Sequence, residues 1–143
     1  MIRSVPALCL CCMLLWVSLA CAPKHTELLS EHGYRVSLYV SDTLIYLNPR
    51  RSYFPQSATL VVRVRDAQGQ PVDGIPVRFS VESSWLQNVS LTPAETLTRN
   101  GEAGTIFQAN TTGVVQVMAQ VDNVTQEARI TISSPPSPGG GAS

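Results

Sequence analysis

The side chains that could do chemistry are few, and their spacing does not gather them. All four cysteines (Cys9, Cys11, Cys12 and Cys21) fall within the first 21 residues. The rest of the chain can therefore form neither a disulfide nor a thiolate metal site. The two histidines, His25 and His32, stand in a polar stretch, whereas a hydrolytic base must be held within hydrogen-bond reach of its nucleophile. Asp66 and Asp73 flank a turn-rich segment that lacks the repeated oxygen ligands of a calcium loop. Glu82, Glu95 and Glu102 are dispersed over different elements, unlike the carboxylate pair of a glycoside hydrolase. Gly139 to Gly141 precede no helix and cannot cradle a phosphate. Ten Lys+Arg balance ten Asp+Glu, which gives no electrostatic reason to expect nucleic acid. These residues predict no enzyme, no cofactor, no metal and no small-molecule substrate.

Cys21 alone has a setting that gives its thiol a reaction. Behind Arg3, Ala7 to Leu19 (ALCLCCMLLWVSL) is an uncharged apolar run of 13 residues. A membrane-spanning helix needs about 20 such residues, so the run has the length of a secretory signal core. Next comes Ser18-Leu19-Ala20-Cys21-Ala22, which resembles the lipobox of bacterial lipoproteins, although Ser18 stands where leucine is usual. The resemblance implies a signal peptide over 1–20 and a mature chain beginning at Cys21, lipidated through its sulfur and its amine, with palmitate among the acyl groups. Several acyl chains hold a protein stably on a membrane where one does not. Ala22, in place of the aspartate that signals inner-membrane retention, implies the outer membrane if the host has one. Ordinary cleavage near Ala20 or Ala22, giving a secreted protein, is the alternative. Residues 21–33 then form the lipidated cysteine and a polar tether.

From Tyr34 to Ser133 the apolar residues recur with a period of two. Ala58, Leu60, Val62 and Val64 alternate with Thr59, Val61, Arg63 and Arg65. Val77, Phe79 and Val81 do the same, as do Thr105, Phe107 and Ala109 against Ile106 and Gln108. Val115, Val117, Ala119 and Val121 follow, then Ala128, Ile130 and Ile132, while Val36 to Val40 and Leu44 to Leu47 supply an earlier strand or pair. Turn residues punctuate the runs at Asp66 to Gly69, Asp73-Gly74, Asn100-Gly101, Thr112-Gly113 and Asp122-Asn123. Short strands at this spacing predict an all-β fold, an antiparallel β-sandwich over 34–133. No stretch is long enough for a crossover helix, so parallel pairing is not expected. The tail, 134–143, reads SPPSPGGGAS, a composition that cannot form a packed core.

Asp66-Ala67-Gln68-Gly69-Gln70-Pro71-Val72, followed by Val77-Arg78-Phe79, is similar to the hairpin and second strand of bacterial immunoglobulin-like domains of the invasin and intimin type (Big-1). Asn100-Gly101-Glu102-Ala103 and Thr112-Gly113 ahead of Val114 to Ala119 agree with it. The resemblance covers about residues 35–133. It implies an immunoglobulin-like sandwich with a structural role or a role in cell adhesion. One copy is present, so a long stalk is not implied.

Contacts with a partner would fall first to Tyr34, Tyr39, Tyr46, Tyr53, Phe54 and Trp85, because exposed aromatics anchor interfaces; their other use is to plug the core or cover its end. Arg50, Arg51, Arg63 and Arg65 would make a small basic face or a solvated one. Asn88-Val89-Ser90, Asn110-Thr111-Thr112 and Asn123-Val124-Thr125 match the glycosylation triplet, but behind a bacterial leader they read as turn and strand chemistry. The expected function is a lipid-anchored, immunoglobulin-like interaction module of the cell envelope with an unidentified protein partner. The alternatives are an accessory subunit of a secretion, pilus or adhesin assembly and, weakest, a small periplasmic enzyme.

Overall fold

The computed structural model describes residues 26–47 and 55–135. The leader, Cys21, His25, Arg50, Arg51, Tyr53, Phe54 and the tail from residue 136 lie outside the described residues. Ten strands follow in chain order: β1 (Leu28–Leu29), β2 (Arg35–Val40), β3 (Leu44–Tyr46), β4 (Ser57–Arg65), β5 (Pro76–Val81), β6 (Val89–Thr92), β7 (Glu95–Leu97), β8 (Glu102–Ala109), β9 (Gly113–Val121) and β10 (Val124–Ser133). They form two sheets, A in the order β1-β2-β4-β8-β6 and B in the order β3-β10-β9-β5-β7. This is the expected immunoglobulin-like β-sandwich.

The two-residue period becomes burial directly. Ala58, Leu60, Val62 and Val64 from β4 meet Val115, Val117, Ala119 and Val121 from β9, all at most 1 % exposed. Phe107, Ile45 and Ile130 are among the largest side chains of this core, each fully buried. Each of the buried valine, leucine, isoleucine and phenylalanine side chains contributes about 1.5–3 kcal/mol, which is how a core without disulfides holds the sheets together.

The turns are local chemistry. Asp66 Oδ1 accepts hydrogen bonds from the amides of Gln68 and Gln70 at 2.9 and 2.8 Å, closing the β4 hairpin around Gly69. Asn100 and Gly101 both have positive φ, 51° and 72°, and Arg99 and Glu102 exchange backbone hydrogen bonds across them. This is the two-residue hairpin that a right-twisted strand pair prefers.

Three features differ from the sequence reading. First, residues 28 and 29, expected in a tether that runs to residue 33, belong to the sandwich, because Leu28 and Leu29 pair with Val36 and Arg35. The side-chain amide of Gln126, 7 % exposed, donates to the carbonyls of Thr26 and Val36 at 2.7 and 2.9 Å. A polar stretch is thus held by strand pairing and by a buried side chain reaching it from the other sheet. Second, β3 runs parallel to β10, with Ile45 opposite Ile132. No crossover helix is needed, since the chain leaves sheet A after β2 and enters sheet B at its open edge. Third, β6 and β7 were not expected; they are four and three residues long and too short for alternation to show.

Candidate interaction surface

The expected aromatic cluster is not brought together. Tyr34 precedes β2 and stacks on His32, with ring centroids 6.1 Å apart. Its end of the sandwich carries the Asp122-Asn123 turn, where His32 Nδ1 lies 2.9 Å from Asp122 Oδ2 and Asn123 Oδ1 accepts the Glu31 amide. Trp85 belongs to a single 3-10 turn, Ser83–Trp85, at the opposite end, half-buried against the core. Its ring lies over Gly113, where a Cβ would come within 2.5 Å of it. Tyr46 sits on β3 opposite Ser133, and Tyr39 faces outward from β2, 47 % exposed. Of the named aromatics among the described residues, Tyr39 alone is at once exposed and on a sheet face.

The hydrogen-bond register defines that face. Three rows cross the outside of sheet A. Arg35 lies opposite Arg65; Ser37, Arg63 and Glu102 form the second row; Tyr39, Val61 and Gly104 form the third. Beyond them Thr59, Ile106 and Thr92 are level, with Ile106 48 % exposed. Arg63 Nε donates to Glu102 Oε1 at 2.8 Å. Arg65 Nη1 donates to the Gly69 carbonyl, and among the described residues neither Arg35 nor Arg65 has a carboxylate partner. The face therefore carries more arginine than acid.

Sheet B presents a different surface. Arg78 Nε donates to Glu95 Oε1 at 2.6 Å, and Gln116 Nε2 donates to Glu127, whose neighbour on the same face is Arg129. Two arginines meet two glutamates there, and the charge cancels. An open groove along Pro76, Arg78, Leu97 and Gln120 follows the β5–β7 edge. Among the described residues no three His, Cys, Asp or Glu side chains converge as a metal site.

The sequence reading did not single out Arg35, Gly104, Ile106 or Gln126. An isoleucine in the outward phase of β8 was the available signal for the face. Gln126 is found by carrying the alternation of Ile132, Ile130 and Ala128 two residues further back.

Comparison with known proteins agrees with this architecture. No curated protein matches the chain. Among solved structures it is similar to the D00-D0 domain of intimin, at 16 % identity and a TM-score of 0.54, covering 66 % of this chain and 45 % of that one. A 282-residue C-terminal fragment of intimin, solved with the intimin-binding domain of the translocated intimin receptor, matches at 21 % identity and 0.53, covering 66 % and 31 %. The Yersinia pseudotuberculosis adhesin InvE matches at 20 % identity and 0.50, covering 70 % and 27 %. The chain spans less than half the length of each, and at these identities the likeness is one of fold. The model of the bacterial Ig-like domain (group 1) family matches residues 55–133. That match takes in more than half of the sequence and every strand from β4 to β10, so the chain belongs to the bacterial Ig-like domain (group 1) family.

Proposed function

We propose that the chain is a lipid-anchored module of the bacterial cell envelope that works by binding a protein partner and not by catalysis. The observation that carries this reading is an immunoglobulin-like sandwich of an adhesin-type family lying directly behind a lipobox-like Ala20-Cys21. Solved relatives of the same fold include an adhesin and a fragment complexed with its receptor. The chemistry-bearing side chains support binding over turnover. Asp66 and Asp73 hold turns, with Asp73 Oδ1 accepting the Gly101 amide at 2.9 Å. His32 and Asp122 join two exposed turns instead of lining a cleft.

The anchor would hold the domain close to lipid. Thr26 is already bound by Gln126, so the five residues from Cys21 can reach at most about 17 Å when extended. With several acyl chains the attachment is stable, and the outer membrane is the address that Ala22 favours in a two-membrane host. Metabolic labelling with a fatty acid, and mass spectrometry of the mature protein, test the anchor. The expected result is lipid on Cys21, with Cys21→Ser leaving the membrane fraction. An unmodified, soluble wild-type chain would sink the anchored reading and leave a secreted one.

Membership of a larger envelope assembly is a second reading, favoured by Tyr39 and Ile106 lying exposed on the same face of sheet A. Stoichiometric co-purification with an envelope complex would select it.

A further inference from the structure

The outer face of sheet A contains a glycine that the fold does not require. Gly104 lies inside β8 without a positive φ. A Cβ built on it would meet the Leu60 carbonyl at 3.5 Å and Val61 Cγ2 at 3.9 Å, which are ordinary contacts. Backbone and packing would both accept a side chain there. A glycine inside a strand weakens it and often marks close approach by another molecule. Its absent side chain leaves a hollow beside Val61, between the exposed Tyr39 and Ile106.

A second observation lies on the same face. Arg35 and Arg65 are directly opposed across β2 and β4, and like charges so placed are destabilising. Glu102 on this face is taken by Arg63. Arg65 is four positions on from Val61 along β4, about 13 Å of strand. Sheet B differs: its exposed Leu44 and Val114 flank Thr131 at one end, Leu97 stands at the other, and the acids and arginines on that face balance, so no unpaired charge of one sign lies beside them.

We propose that this face of sheet A docks an acidic protein partner. One apolar side chain of the partner sits over Gly104, bounded by Tyr39, Val61 and Ile106, and its carboxylates engage Arg35 and Arg65. Arginine offers paired donors to a carboxylate, and arginine and tyrosine are enriched where interfaces hold their energy. An anionic bilayer would also attract the arginines, but a lipid surface has no use for a hollow one residue wide. The inference rests on the reading of the chain as a binding module and deepens it by naming the surface.

The test uses the full chain in its native cells, with a photo-crosslinking amino acid placed at Ile106 or, on sheet B, at Arg129. The expected result is one crosslinked protein from position 106 and none from 129. That protein, identified by mass spectrometry and purified, is then titrated against variants of the chain. Arg35→Glu with Arg65→Glu should weaken binding by about tenfold or more, and replacing the partner's acidic residues with lysine should restore it. Gly104→Val should weaken binding to a similar degree while leaving the thermal midpoint unchanged or raised, which a purely structural glycine would not do.

Crosslinking from 129 and not 106, no crosslink from 106, or affinity indifferent to the double reversal would each overturn the proposal. So would phosphatidylglycerol vesicles that bind the Cys21→Ser chain through the two arginines while no protein crosslinks. The anchor is scored separately. Crosslinking from 106 in a chain that proves unlipidated would keep this surface and reject the anchored reading.

Discussion

Gly101 lies so close to Pro71 that a Cβ built on it would stand 2.6 Å from the proline Cβ and 2.8 Å from the Val64 carbonyl. Two hairpins distant in sequence thereby share one tight contact, and the glycine also has φ of +72°. Gly101→Ala combines backbone strain with a collision against backbone atoms. It should lower the unfolding free energy by about 2 kcal/mol or more, measured by denaturant titration.

Gln126 is the buried polar link between the N-terminal segment and the sandwich. Gln126→Leu keeps the bulk and leaves the Thr26 and Val36 carbonyls without their side-chain donor. A loss of about 1–3 kcal/mol is expected. Amide hydrogen exchange should quicken at Ser30 and Tyr34, whose amides bond within that turn, while β8 and β9 stay protected.

Thr105 presents the opposite case. Its hydroxyl is buried opposite Leu60 and has no hydrogen-bond partner. Thr105→Val keeps the shape and removes the unsatisfied group, so a gain of about 1 kcal/mol is expected. A thermal melt that moved downward would contradict it.

Gly113 and Trp85 form the cap at the far end. Gly113→Ala places a Cβ within 2.5 Å of the indole ring at a residue with φ of +149°. The ring must move outward, so the Trp85 emission should shift to the red, and stability should fall by about 1–3 kcal/mol.

The parts of the fold legible in the sequence were those where one residue type repeats in phase. Leu60, Val62 and Val64, like Val115, Val117 and Val121, declare their burial because a strand alternates its faces. Turn positions such as Gly69 and Asn100-Gly101 were legible because few residues accept their backbone angles. The N-terminal segment was opaque for a different reason. Beyond the short local pairing of β1 with β2, its order comes from Gln126 and Asn123, about a hundred residues away, and no local period records a distant hydrogen bond. The aromatic candidates were identified by type alone, and type does not distinguish Trp85 over Gly113 from Tyr39 on an open face. The arginine pair was hidden because Arg35 and Arg65 become neighbours only through strand register.

The parallel pairing of β3 with β10 has a mechanical consequence. A pull reaching Leu44 from the N-terminal side, opposed by one on Ser133, runs along both strands in opposite senses. The ladder from Leu44 against Thr131 to Tyr46 against Ser133 is then loaded in shear, with its bonds sharing the force instead of parting in turn. A short clasp of this kind resists tension where an antiparallel edge loaded at one end would unzip.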